Sequence, residues 1–114
     1  MSDCLFCKMV AGEIQPDVVF EDDDVLAFRD VNPQAPLHVL VIPKAHIKTT
    51  NDLNAENVGL VGKMLLAARQ IAMDEGVADA GYRMVMNCNA DAGQSVYHIH
   101  LHVLAGRPMH WPPG

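Results

Sequence analysis

No run of lysines or arginines occurs anywhere in this sequence. Eight basic residues against fourteen acidic ones leave a formal net charge of -6. That balance argues against a nucleic-acid backbone as the main partner, because neutralising phosphates takes clustered cations. It leaves room for one small phosphate ester, held by backbone N–H groups and imidazoles. No apolar run approaches the roughly 20 residues of a membrane-spanning helix, and Met1 to Cys7 shows neither the basic start nor the apolar core of a secretory leader. Cysteine is scarce, and three residues do not make a disulfide framework. Together these absences set the expectation of a reduced, cytoplasmic protein that binds no membrane. Repeats, low-complexity stretches and linkers are missing too. The 114 residues, half of them hydrophobic and 19% charged, are therefore expected to form a single domain, 1–114, around one core.

The order of apolar and turn residues gives the fold class. Phe6, Met9 and Val10 suit a short N-terminal helix broken by Gly12 to Pro16. Val18–Glu21 and Val25–Phe28 read as strands flanking an acidic turn, and His38–Ile42 as a buried strand stopped by Pro43. Between them, the prolines of Asn32–Pro36 impose a loop. Val58, Val61, Met64, Leu65, Ala68, Ile71 and Ala72 recur at three- and four-residue spacings. They predict one long helix from about Asn54, as its cap, to Glu75, with Gly76 in the left-handed position beyond it. Tyr82–Asn87 and Tyr97–Ala105 read as longer strands joined by the loop Asn89–Gly93. The expected class is α+β: an antiparallel sheet of about five strands with one long and one short helix.

The strongest chemical signal is His98-Ile99-His100-Leu101-His102-Val103-Leu104, which holds half of the six histidines. On an extended chain alternate side chains share a face, so the three imidazoles face one way and Ile99, Leu101 and Val103 the other. Spacing alone leaves two chemistries equal. The imidazoles could hold a catalytic zinc with one position open for water. Alternatively one imidazole is a nucleophile that its neighbours orient; with an ordinary pKa of about 6.5 it offers a neutral nitrogen at pH 7. Asn87, Gly93, Gln94 and Ser95 lie just before the histidines. A glycine that admits close backbone approach, with small polar neighbours, suits an anion cradle.

These residues resemble the histidine triad family. Gly93 to Leu104 is similar to its His-x-His-x-His pattern, Phe28 to His38 with Val41-Ile42-Pro43-Lys44 to its N-terminal half, and His110-Trp111-Pro112-Pro113-Gly114 to the tail of its purine nucleoside phosphoramidase branch. The resemblance runs from about Phe6 to Gly114. It implies a homodimer whose two sheets join across the interface, acting on AMP or GMP conjugates. His100 would attack phosphorus to form a nucleotidyl-histidine, His102 would contact the phosphate, and His98 and His38 would orient the His100 ring. Ser95 would reach the scissile bridging atom, while Asn87 and the backbone at Gly93 and Gln94 would hold phosphate oxygens. Asp30 would bind the ribose hydroxyls, both of which one carboxylate can accept. Phe6, Met9, Ile14, Phe28 and Val31 would line the purine slot, and Trp111 would approach the partner's site. Arg29 stands where some relatives have histidine.

Cys4-x2-Cys7 has the spacing of a metal half-site. Some members of the family complete such a site with a histidine beyond the Ile-Pro-Lys segment and with the first triad histidine, here His46 and His98. The resemblance thus implies a structural zinc on Cys4, Cys7, His46 and His98, and no cofactor in catalysis. The alternatives are a nucleotide-binding regulator with incidental hydrolysis and a zinc hydrolase that uses the triad as ligands.

Overall fold

In the computed structural model, which describes residues 3–114, the chain forms one five-stranded antiparallel sheet in the order β1-β2-β3-β5-β4. The strands are β1 (Val18–Glu21), β2 (Val25–Arg29), β3 (Leu37–Pro43), β4 (Tyr82–Val85) and β5 (Leu101–Ala105). Three helices accompany them: α1 (Leu5–Val10), α2 (Gly59–Asp74) and the single turn α3 (Asn89–Ala92). A 3-10 turn spans Thr50–Asp52. The expected α+β class and strand number are found. Among the described residues, no helix is long and apolar enough to cross a membrane.

The β1–β2 turn forms where Asp22 caps it: its Oδ1 accepts from the N–H groups of Asp24 and Val25, both at 2.8 Å. Strand alternation then divides the side chains between two faces. Val25, Ala27, Val39, Val41, Leu101 and Val103 join Met64, Ala67, Ala68 and Ile71 of α2 in the main core, with Ile99 added from the segment before β5. On the opposite face Leu26, Phe28, Leu40 and Ile42 pack under Phe6 of α1. The second face carries the histidines, because Leu40 lies directly across from His102 in the β3–β5 ladder.

The strand expected over Tyr82–Asn87 stops at Val85, and three further boundaries differ from the sequence expectation, each for a local reason. Asn54 does not cap the long helix. Its Oδ1 accepts from the N–H groups of Glu56 and Asn57, which closes a separate turn, and α2 starts at Gly59. Asn89–Gly93 is not a plain loop but the turn α3, closed by Gly93 at φ 87°. The final strand begins at Leu101 rather than Tyr97, because the N–H of Ile99 leaves the ladder and donates to the Ile47 carbonyl at 2.8 Å. His98 and His100 therefore sit in the lead-in, His98 at a bend, and only His102 is in the strand. Gly76 does take the left-handed conformation after α2, at φ 75°.

Candidate active site

A cleft of about 560 Å³ opens on the histidine face. Phe6, Met9, Ile14 and Phe28 form its apolar part, and the fully exposed Val31 also lines it. Asp30, Ser95, His100 and His102 supply its polar groups, with Asp30 within 4.8 Å of a His102 ring nitrogen. Phe6 is the keystone: its ring meets Phe28 edge-on at 5.5 Å between centroids and His100 at 5.1 Å. This arrangement buries His100 to 5% exposure while leaving it on the cleft wall. Leu5, Leu40 and Val96 also line the cleft. Leu40 was legible as the residue two beyond His38 on one strand face; Leu5 and Val96 carried no signal.

Hydrogen bonds fix which nitrogen of each imidazole holds the proton. The His98 carbonyl lies 2.8 Å from Nδ1 of His100. A carbonyl can only accept, so Nδ1 carries the hydrogen and Nε2 keeps its lone pair. A second chain begins at the backbone N–H of Gln34, which donates to Nδ1 of His38 at 3.0 Å. His38 must then carry its proton on Nε2, which lies 2.9 Å from Nδ1 of His102. His102 accepts there and is left with an Nε2–H donor. The site thus pairs a ring with a free lone pair and a ring that donates, their centroids 5.1 Å apart.

Two imidazoles support different partners from those expected. His38 bonds His102, not His100, because β3–β5 pairing brings His38 beside that ring. His98 steadies His100 through its main-chain carbonyl, while its own ring turns the other way, toward the cysteines. The anion cradle also changes. The N–H of Gly93 donates to Ala90 and that of Gln94 to Asn89. Gln94 spends its side chain inside the loop as well, accepting from Asn89 N–H at 2.8 Å and donating to the Lys48 and Val96 carbonyls. Gly93 and Gln94 are therefore scaffold for Ser95, and neither they nor Asn87 line the cleft. Ser95 itself is exposed and makes no hydrogen bond among the described residues. Asp30 accepts from the N–H of Asn32 at 2.9 Å and keeps Oδ2 3.4 Å from Nε2 of His38. Arg29 is held by Glu75 at 3.0 Å. Trp111 is 82% exposed and lies off the cleft of its own chain.

Burial, together with the neighbouring His100 and His38 rings, pushes the pKa of His102 down to about 4. Burial lowers His38 as well, against the pull of Asp30. A histidine with a depressed folded pKa stays neutral while the unfolded chain takes up a proton below about 6.5. Stability is therefore lost as pH falls from about 6.5 toward 4. Thermal melts across that range are expected to show a smaller drop for His102→Gln than for the wild type; parallel curves would count against a neutral His102.

The sulfurs of Cys4 and Cys7 and Nδ1 of His46 and His98 all lie within 4.8 Å of one another. Tetrahedral zinc with ordinary Zn–N and Zn–S bonds needs ligand separations of about 3.3 Å (N to N) and about 3.6 Å (S to N). The His46–His98 nitrogens are 3.2 Å apart, both cysteine sulfurs are 3.5 Å from His98, and Cys7 is 3.2 Å from His46. Nε2 of His98 donates to the Pro43 carbonyl at 2.7 Å, so its Nδ1 lone pair faces the cluster. The donor set and its geometry fit a structural zinc. Asp30, His38 and His102 form a second close group, but the Gln34-to-His38-to-His102 chain uses the nitrogens a metal would need. Among the described residues neither group includes His100.

The family model described as scavenger mRNA decapping enzyme C-term binding matches residues 3–111. The sequence is 50% identical over 105 residues to the purine nucleoside phosphoramidase of Escherichia coli K12, covering 92% of this chain and 88% of that one. The chain belongs to the histidine triad family. A solved histidine triad (HIT) family hydrolase from Legionella pneumophila superposes with a TM-score of 0.96 at 55% identity, over 98% of this chain and 100% of that one. A histidine triad protein from Clostridium difficile gives 0.93 at 42% identity, over 96% of each chain. Within this fold the triad divides its labour: the first ring faces the Cys4, Cys7 and His46 donors, the second and third line the cleft, and the third also ends the proton chain from Gln34.

Proposed function

We propose that this chain hydrolyses purine nucleoside 5'-phosphoramidates and related adenylates such as aminoacyl-AMP, releasing AMP or GMP through a nucleotidyl-His100 intermediate. The observation that carries the proposal is the fixed tautomer of His100, which aims a lone pair into a cleft of nucleotide size. The apolar slot of Phe6, Ile14 and Phe28 takes the base, and Asp30 accepts from the ribose hydroxyls. Nε2 of His100 attacks the α-phosphorus while His102 donates to a non-bridging oxygen. The phosphorus–nitrogen bond breaks, and the amine leaves with a proton relayed from water through Ser95. A second water then attacks phosphorus, its proton returning through Ser95 to the hydroxide left by the first, giving the 5'-monophosphate and restoring His100. No step needs a metal. Zinc on Cys4, Cys7, His46 and His98 is assigned a structural role, holding the start of α1 to the sheet.

A homodimer completes this reading. β4 is an edge strand, open to pairing with another sheet. α2 packs over β1, β2 and β3, while Leu65, Leu66 and Met73 of α2 and Met84 of β4 remain exposed. A second copy would cover them and bring its Trp111 toward the leaving-group end of the cleft.

The test is rapid mixing of the protein with adenosine 5'-phosphoramidate in the presence of chelator, with an alkaline denaturing quench that preserves a phosphorus–nitrogen bond. AMP is expected as product, with a protein-bound nucleotide on histidine at early times. Release of adenosine in place of AMP, or AMP release with no adduct under single-turnover conditions, would count against the covalent route.

A further inference from the structure

The nucleotide cleft shares a wall with a second cavity. Leu5, Ser95 and Val96 line both, and beyond them lies a space of about 460 Å³ bounded by Asp3, Lys48 and Tyr97 and by Cys4 and His46 of the four-donor cluster. In-line displacement at phosphorus places the leaving atom opposite the attacking nitrogen. With the nucleoside in the first cavity and Ser95 at the bridging atom, whatever the leaving amine carries crosses the shared wall into the second.

Lys48 sets the chemistry of that space. Its ammonium is exposed and pairs with no carboxylate among the described residues, whereas Lys44 and Lys63 are engaged with Glu21 and Asp24. Its main chain is tied to the shared wall, since Nε2 of Gln94 donates both to the Lys48 carbonyl at 2.8 Å and to the Val96 carbonyl at 3.1 Å. The cation therefore stands on backbone locked to Ser95, not on an independent loop. Resting on the hydrolase reading above, we propose that the second cavity is a leaving-group subsite and that Lys48 selects amines bearing a carboxylate, such as N-linked α-amino acids. Asp3 lines the same space and opposes that preference, so the two residues act in contrary senses.

The experiment uses the intact protein and three substrates: unsubstituted adenosine 5'-phosphoramidate, AMP linked through nitrogen to glycine, and AMP linked to glycine methyl ester. The quantity read is the ratio of kcat/KM for the free acid to that for the ester, compared between wild type and variants so that intrinsic reactivity cancels. Lys48→Ala is expected to lower the ratio by about fivefold, the range of one exposed charge pair. Lys48→Glu lowers it further, and Asp3→Asn raises it. Turnover of the unsubstituted compound, which places nothing in the subsite, is expected to stay within about twofold for all three variants. A ratio unchanged in both Lys48 variants would overturn the subsite while leaving the hydrolase reading standing. No cleavage of the unsubstituted compound by wild type would instead overturn the hydrolase reading, and the subsite with it.

Discussion

His100→Ala is expected to lower kcat/KM on adenosine 5'-phosphoramidate by about two to four orders of magnitude while nucleotide binding survives. The loss should be large because no other group can take over. His102 spends its Nδ1 on His38 and presents a donor, and the ring of His98 faces the cysteines. Binding should persist because the slot of Phe6, Ile14 and Phe28 and the carboxylate of Asp30 are untouched. Removing a buried ring beside Phe6 also weakens packing, so melting temperature and AMP affinity must be measured with the rate. Activity within about tenfold of wild type in a folded variant would remove His100 from the chemistry.

Loss of the metal is expected to act on stability and not on the chemical step. The Cys4, Cys7, His46 and His98 donors tie the N-terminal helix to the loop after β3 and to the lead-in of β5. Binding at a thousandfold excess over Kd stabilises a fold by about 4 kcal/mol, and each kcal/mol moves the melting point of a domain this size by about 4 °C. Chelator or Cys7→Ser should therefore lower Tm by about 10 °C or more, with catalysis retained well below that temperature. Protein purified without chelator and without a metal-affinity column should carry close to one zinc per chain. Less than one per three chains, with no change of Tm in chelator, would refute the structural metal. Activity abolished by chelation at a temperature where the fold persists would move the metal into the reaction.

Much of this architecture could be read from periodicity. The stripe of Met64, Ala68, Ile71 and Ala72 gives the buried side of α2, although Val58 and Leu65 of the same pattern are exposed. The alternation through His98 to Leu104 separates Ile99, Leu101 and Val103 of the core from the imidazoles. What could not be read depends on who bonds whom. Nothing in the spacing of His38 says that it meets His102; that follows from the β3–β5 register. Gln94 looks like a ligand-binding polar residue beside a glycine, yet its amide is used up on the main chain of Asn89, Lys48 and Val96. Asn54 looks like a helix cap and caps a different turn. Short polar side chains satisfy whichever backbone group is nearest, so their partners are decided by the folded path and not by composition.

The protonation pattern of the site is anchored at both ends by main-chain atoms: the N–H of Gln34 for the His38–His102 pair and the carbonyl of His98 for His100. Every residue type supplies a carbonyl, and every one but proline supplies an N–H. The ordering of protons is thus shielded from most genetic drift at the anchor points. Substitutions of Gln34 other than to proline are expected to leave that order of protons in place.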